Sequence, residues 1–352
     1  MGAAAEQYPH RRFNPLNREW VLVSPQRLQR PWLGLEERPP LEQLPTYDPS
    51  CSLCPGNTRA NRKRNPAYTD TFVFSNDYPS LVLTNPSQAA DSSPLLRTES
   101  ARGICKVICF SPRHDLSLGT LDLDRVTGVI EVFTGLYDEL GRRREIQHVQ
   151  IFENRGAMMG ASNPHPHAQT WATDYIPHHV MVEQENQLAY HLIHKRTLLS
   201  DYLSLELDLR ERLVCSNDHF VALTPYWAVW PYETLVVSRR PLGRLTDLSV
   251  RERAGLADIL RRISIRYDNV YEVPFPYSMG FHQAPTDGLE HHEWHFHIHL
   301  YPPLLRSASI RKHMVGFELL AEAQRDITPE SAAQTLRSQP EVHHRQATLP
   351  VG

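Results

Sequence analysis

The chain has 352 residues, 41% of them hydrophobic, which suits one large globular domain or two ordinary ones around a well-buried core. A formal charge of -3 gives no basis for nucleic-acid or membrane-surface binding, and no stretch approaches the ~20 apolar residues of a membrane helix. Five cysteines, an odd number with two of them in Cys51-Ser-Leu-Cys54, fit a reduced compartment better than a disulfide framework, so a cytoplasmic location is expected.

Residues 1–9 and roughly 346–352 lack apolar periodicity and read as loose ends. His10 to Ser24 reads as two short strands around a turn. Pro25 to Trp32 follows as a loop in which Arg27 and Arg30 are candidates for gripping phosphate. Residues 35–71 are rich in Pro, Arg and Asn, cannot build a core unaided and would gain from a metal staple. Their basic run, Arg59 to Arg64, reads as a solvated loop, with nucleic-acid contact as the competing reading. Phe72 to Asp77 is strand-like, residues 85–103 form an exposed loop, and Cys105 to Ser111 is a strand with Cys105 and Cys109 as small core residues. Val126, Val129, Ile130, Phe133, Tyr137 and Leu140 recur at helical spacing and define one long amphipathic helix. Ile146 to Asn154 is the next strand, and Arg155 to Gly160 a loop. In the second half Phe220 to Thr224 and Thr234 to Ser238 are strands. Ser249-x-x-Glu252 is a capping box opening a helix that turns Leu256, Leu260, Ile263 and Tyr267 inward, and His295 to Tyr301 closes the half as a strand.

The chemistry concentrates in Ser162-Asn-Pro-His165-Pro-His167-Ala-Gln169-Thr-Trp171. In an extended chain His165, His167 and Gln169 project to one side. Pro166 lacks a backbone N–H, so this strand is expected at a sheet edge or rim. An imidazole that is largely neutral near pH 7 serves as metal ligand or as nucleophile toward phosphorus, whereas a carboxamide never titrates and only orients. His295 follows His165 by 130 residues and Ser238 follows Ser111 by 127, an internal duplication. The expected fold is therefore α+β with two similar half-domains, not an alternating Rossmann sheet, and no glycine-rich dinucleotide or P-loop motif is present. Cys51 and Cys54 supply two soft ligands and need two more for tetrahedral zinc, for which His114 and His165 are candidates. His282, His297 and His299, with Glu183, make a second candidate set suited to zinc or iron.

These motifs, together with His10-Arg-Arg-Phe-Asn-Pro-Leu16, Phe152-Glu-Asn154, Pro276-Tyr-Ser-Met-Gly280 and Tyr301-Pro-Pro-Leu-Leu-Arg-Ser307, resemble the galactose-1-phosphate uridylyltransferases of the histidine-triad superfamily. The resemblance runs from about residue 10 to about residue 345. It implies duplicated histidine-triad-like halves at residues 1–177 and 178–352, with a mixed, mostly antiparallel sheet forming a half-barrel flanked by helices. It implies that His167 attacks the α-phosphorus of UDP-glucose, that galactose 1-phosphate then takes the uridylyl group to give UDP-galactose, and that kinetics are ping-pong. The His165 carbonyl would orient the nucleophile, and Gln169 would hold phosphoryl oxygens where hydrolytic relatives carry a third histidine.

By the same resemblance Arg27 and Arg30 would meet phosphates, and Phe74, Asn76 and Asp77 would hold uridine. Phe152, Asn154, Gly160 and Ser162 would line the diphosphate pocket. Lys312, Val315, Glu318 and Gln324 would contact the hexose, in a homodimer with shared active sites. Zinc would fall to Cys51, Cys54, His114 and His165, and a second metal, iron or zinc, to Glu183, His282, His297 and His299. The chain departs from the family pattern at His295, where glutamine is usual, at Glu293 in place of a histidine, and at His313 and Phe317 near the sugar contacts. A nucleotide hydrolase or sugar-nucleotide phosphorylase of the superfamily is the alternative within enzymes, and Gln169 argues against the hydrolase.

Overall fold

The computed structural model describes residues 8–31, 44–85 and 93–347. Most of the expected loose ends, together with Trp32, residues 35–43 and residues 86–92 of the expected loop, lie outside the described residues. The chain begins with β1 (His10–Phe13) and β2 (Trp20–Val23), joined by the expected turn. The segment expected as a loop then holds a 3-10 turn at Pro25–Gln29, opened by the fixed φ of Pro25. The first half continues with β3 (Phe72–Ser75), β4 (Gly103–Cys109), α1 (Leu123–Gly141), β5 (His148–Arg155) and β6 (His167–Thr173). Next come α2 (His178–His194), α3 (Leu198–Leu209), β7 (Leu213–Ser216), β8 (Phe220–Leu223), β9 (Thr234–Ser238), α4 (Val250–Tyr271), β10 (Tyr277–His282) and β11 (His297–Tyr301). The chain ends with β12 (Leu304–Ser307), β13 (Ile310–Arg311), α5 (Phe317–Leu320), β14 (Ala323–Arg325) and α6 (Pro329–Ser338).

Nine strands form one open antiparallel sheet in the order β3-β4-β6-β5-β10-β11-β9-β8-β7. The duplication is written into that order. Strands β4, β6 and β5 of one half are mirrored by β9, β11 and β10 of the other, and the halves join where β5 pairs with β10, Phe152 opposite Gly280. A small sheet of β1, β2 and β14 contains a parallel pair, β14 with β2, so the α+β, mixed and mostly antiparallel expectation holds.

One face of the large sheet is covered by α1 and α4, which pack on each other. Val126, Val129, Ile130, Phe133, Tyr137 and Leu140 of α1 are all buried, as are Leu256, Leu260, Ile263 and Tyr267 of α4. They meet Ile108, Ile151, Ala168, Phe281 and Ile298 from the sheet in one core. Both helices start on caps: the Asp122 side chain accepts the Arg125 N–H, and Ser249 and Glu252 form the expected capping box.

Two differences from the sequence reading matter for the site. The histidine strand β6 is not an edge strand: it lies between β4 and β5, paired on both sides. Pro166 sits one residue before it, at the rim, where its missing N–H costs no ladder bond and its carbonyl still accepts the Phe110 N–H. The other difference is α2, which carries no apolar stripe to announce it. Its inward face is Val180, Glu183 and Gln187, so polar function replaces the periodic hydrophobes.

Candidate active site and metal centres

Antiparallel pairing puts directly opposed residues on the same face of a sheet. Following the register from β3 gives one continuous row: Phe74, Val107, Gln169, Phe152, Gly280 and His299. A neighbouring row starts Phe72, Cys109, His167. Both rows lie on the face opposite the α1 and α4 helices, because the intervening positions, Ile108, Ala168, Ile151 and Phe281, belong to the helix-covered core. Four expected site residues, Phe74, His167, Gln169 and Phe152, are thereby brought onto one surface with the second-cluster ligand His299. Asn154, two residues along β5 from Phe152, also points to this side, and its Oδ1 accepts the Ser278 hydroxyl at 2.7 Å.

The His167 ring is held by its Nδ1, which lies 2.8 Å from the His165 carbonyl oxygen. A carbonyl only accepts, so Nδ1 carries the proton and Nε2 the lone pair. No hydrogen bond among the described residues engages that Nε2. Burial lowers the His167 pKa from its ordinary value against the opposing pull of the carbonyl, which keeps the ring neutral and nucleophilic near pH 7. The Trp171 Nε1–H donates to Gln169 Oε1 at 3.1 Å. That bond orients the amide, leaving its NH2 to donate to a ligand oxygen.

Cys51, Cys54, His114 and His165 are all buried, with one ligand atom each and all four within 4.8 Å of one another. Cys54 Sγ lies 3.6 Å from His114 Nδ1 and 3.5 Å from His165 Nδ1. A tetrahedral zinc with bonds of ~2.3 Å to sulfur and ~2.05 Å to nitrogen separates such ligands by about 3.6 Å. The residues present therefore fit a structural zinc. His165 Nε2–H donates to the Ser111 carbonyl at 2.9 Å, which presents Nδ1 to the cluster. Burial pushes the Cys54 thiol up to about 11 and lowers His165 to about 4, so a metal bound here at neutral pH would displace thiol protons and meet an imidazole that is already neutral. Sequence reasoning did not find two supports of this centre. Asn163 Oδ1 accepts the His165 backbone N–H at 2.9 Å with its side chain 3.4–3.5 Å from Cys51 Sγ, and the Tyr68 hydroxyl donates to the Leu53 carbonyl at 2.6 Å. Asn163 stands inside the histidine motif, but Tyr68 carries no spacing signal.

Glu183, His282, His297 and His299 also place their ligand atoms within 4.8 Å of one another. Glu183 Oε2 is 2.8 Å from His282 Nδ1 and 3.5 Å from His297 Nε2, and Oε1 is 3.7 Å from His299 Nε2. Burial would raise the Glu183 carboxyl, but His282, His297 and His299 outweigh it and hold it well below the usual range. The Nε2 atoms of His297 and His299 are buried and have no hydrogen-bond partner, orphaned groups that a metal ion would satisfy. His295 is not part of this set. Its Nε2–H donates to the Ser238 carbonyl at 2.7 Å, and its Nδ1 takes the Thr197 hydroxyl at 2.9 Å.

The other expected contacts form a second group. Lys312 Nζ reaches Glu318 at 3.2 Å and the Gln324 carbonyl, Gln324 donates to Asp326, and Arg27 Nε binds the same Asp326 oxygen at 3.1 Å. Arg306 bonds the carbonyls of Arg27 and Arg30. Val315 is exposed, and its carbonyl accepts the Glu318 N–H at 3.2 Å. No hydrogen bond among the described residues links this group to His167 or Gln169. Gly160 takes φ 77°, a left-handed conformation that favours glycine, and turns the chain into the exposed Ser162 ahead of β6. Asn76 Oδ1 accepts the Tyr78 N–H in a turn after β3, and Asp77 follows it. No helix among the described residues is long and apolar enough to cross a membrane.

Comparison with known proteins matches this architecture throughout its length. Residues 3–177 match the family model of the galactose-1-phosphate uridyl transferase N-terminal domain, and residues 183–348 that of its C-terminal domain. A Haemophilus influenzae protein named galactose-1-phosphate uridylyltransferase is 48% identical over 342 residues, 97% of either chain. A Rattus norvegicus protein of the same name is 47% identical over 343 residues, 97% of this chain and 90% of its own. A solved structure titled "Structure of uridylyltransferase" superposes with TM-score 0.74 at 25% identity, covering 96% of this chain and 99% of that one. An Arabidopsis thaliana ADP-glucose phosphorylase, at 20% identity and TM-score 0.74 over 94% of this chain and 99% of its own, shares the fold. This chain belongs to the galactose-1-phosphate uridyl transferase family.

Proposed function

We propose that the protein transfers the uridylyl group of UDP-glucose to galactose 1-phosphate, giving UDP-galactose and glucose 1-phosphate, in galactose metabolism. The observation that carries this reading is His167: a neutral ring, anchored through Nδ1, with a free Nε2 beside a fixed carboxamide on the open face of the sheet. Nε2 attacks the α-phosphorus. The N–P bond forms as the bond to the β-phosphate oxygen breaks, and glucose 1-phosphate leaves. The positive charge that the ring acquires is eased by the His165 carbonyl at its Nδ1–H. A phosphate oxygen of galactose 1-phosphate then attacks the same phosphorus and returns the free imidazole. Both leaving groups are stable without a delivered proton, so the Gln169 amide suffices to hold the phosphoryl oxygens.

Phe74, Asn76 and Asp77 are assigned to uridine, Phe152, Asn154, Gly160, Ser162, Arg27 and Arg30 to the diphosphate, and Lys312, Val315, Glu318 and Gln324 to the hexose. Val315, Phe317, Leu319 and Leu320 are 51–88% exposed beside Lys312 and Glu318, which supports a homodimer whose neighbouring subunit covers this segment and shares its active site. Zinc is assigned to the Cys51 cluster, where it would tie His165 and hence the nucleophile to the Cys-x-x-Cys loop. Zinc or iron is assigned to the Glu183 cluster in a structural role. The halves divide near residues 177 and 178, and a cytoplasmic site of action fits the reduced cysteines.

Intact-protein mass spectrometry tests the reading. UDP-glucose alone should add one UMP to the protein, and galactose 1-phosphate should remove it. Steady release of UMP without a labelled protein would assign hydrolysis instead.

A further inference from the structure

The basic run Arg59 to Arg64 divides sharply in the structure. Arg62, Lys63 and Arg64 are exposed, but the Arg59 side chain is only 10% exposed. A tight hairpin causes this: Thr58 bridges Arg64, and the Arg59 N–H donates to the Lys63 carbonyl at 2.8 Å. The turn lays the Arg59 guanidinium on the Phe74 ring, 4.1 Å from its centroid. Tyr68, Phe72 and Phe74 are themselves stacked at 4.9 and 5.4 Å, so Arg59 adjoins an aromatic column that leads back to the zinc cluster through Tyr68.

Beyond the ring, Arg59 Nε lies 3.7 Å from Asp77 Oδ1, too far for a hydrogen bond. Arg59 Nε, Arg59 Nη1 and Asp77 Oδ1 are all buried and none has a hydrogen-bond partner. A buried donor and a buried acceptor left open side by side are costly in isolation, and each one calls for a partner. A hydroxyl group satisfies both at once, donating to Asp77 and accepting from Arg59. Phe74 stands two strand spacings from Gln169 along the same row, about 9.5 Å. A phosphorus held beside Gln169 carries its nucleoside by a direct ester, so the nucleoside can extend along this row toward Phe74.

We infer that Arg59 is a positioning residue for the nucleoside, backing Phe74 and completing with Asp77 a donor–acceptor pair that takes a ribose hydroxyl. The inference rests on the uridylyl-transfer reading and adds to it the selection of ribonucleotides over deoxyribonucleotides. The planar guanidinium is essential to it, because an ammonium cannot both lie on a ring and offer a fork of donors.

The test compares UDP-glucose with its 2′-deoxy and 3′-deoxy analogues in wild type, Arg59→Gln, Arg59→Lys and Lys63→Gln, with zinc content measured for each. Wild type should prefer at least one ribo-hydroxyl by tenfold or more in KM. Arg59→Gln should raise KM for UDP-glucose ten- to thirtyfold, leave kcat within threefold and shrink the ribo/deoxy ratio toward one. Arg59→Lys should behave like Arg59→Gln, and Lys63→Gln like wild type. An unchanged ratio in Arg59→Gln overturns the inference, as does an equal effect of Lys63→Gln, which would make the loop a mere source of positive charge. Loss of zinc with uniform damage to all substrates would assign Arg59 a structural role and overturn it too. A wild-type protein that neither binds UDP-glucose nor becomes labelled fails the parent reading instead, before any variant is compared.

Discussion

His167 Nδ1 lies 2.8 Å from the carbonyl oxygen of His165, and the contact recurs in the other half, where His297 Nδ1 lies 2.7 Å from the carbonyl of His295. The anchoring of the first ring is repeated as well: His165 Nε2 meets the Ser111 carbonyl and His295 Nε2 the Ser238 carbonyl. One backbone device thus fixes the tautomer of two rings and presents Nε2 of each to the open face. In the first half that nitrogen is free beside an amide. In the second it points at a carboxylate and two more imidazoles. Duplication supplied the same geometry twice, and on the proposed reading the neighbours decide whether it serves chemistry or ligation.

Replacing the proposed nucleophile should separate fold from activity. His167→Gly is expected to lower the transfer rate by about 10⁴-fold or more. The melting temperature should fall by only a few degrees, since the side chain lies outside the helix-covered core. Initial rates with circular-dichroism melting check this, and a rate within tenfold of wild type rejects the assigned role.

The cysteine loop should depend on the zinc proposed for it. Cys51→Ser is expected to lose one equivalent of zinc per chain and about 3 kcal/mol or more of stability, because a structural ligand set contributes folding free energy. Elemental analysis beside chemical denaturation tests it. Unchanged zinc would remove Cys51 from the ligand set.

The histidines of the closing strand should divide by role. His295→Gln is expected to keep the second metal and to cost on the order of 1–2 kcal/mol from its bonds to Thr197 and Ser238. His297→Gln is expected to lose that metal. Equal metal loss in the two variants would place His295 in the coordination sphere.

Acid should weaken the clamp that joins β1 to α6. Glu330 is penalised by burial, but Arg12 and Arg212 outweigh this and lower it from 4.5 to about 2. The Arg12 bonds are 2.8 and 3.0 Å, and the Arg212 bond is 2.7 Å. A depressed carboxyl contributes stability that is full above its unfolded value and is lost as pH falls through the folded one. Glu330→Gln should therefore be less stable than wild type by on the order of 3 kcal/mol at pH 7, with the difference closing between pH 4.5 and 2. Urea denaturation across that range checks it. A difference independent of pH would show that the carboxylate is not the source.

Much of this was readable along the chain wherever one chemical pattern repeats. The α1 and α4 helices declare themselves because their buried faces are apolar at helical spacing, and α4 also by its cap. The two metal clusters could be named because cysteine and histidine are few-purpose residues at telling intervals. Periodicity is silent where a buried face is polar, which is why α2 passes unseen although it delivers Glu183. Pairing partners are also unreadable from one strand. Pro166 suggested an edge for β6, yet β4 and β5 flank it, because a proline at the rim removes only a bond that the rim does not need.

The sequence by itself determined which side chains are candidates for the chemistry, the duplication that repeats them and the family they resemble, since these depend on residue type and interval. Only the tertiary structure decided the rest. Register across six strands set Phe74, Gln169, Phe152 and His299 in one row, and a hairpin turn placed Arg59 on Phe74 rather than in solvent. Those relations arise from hydrogen bonding between segments as far apart as Phe152 and Gly280, and no local pattern encodes which strand will lie beside which.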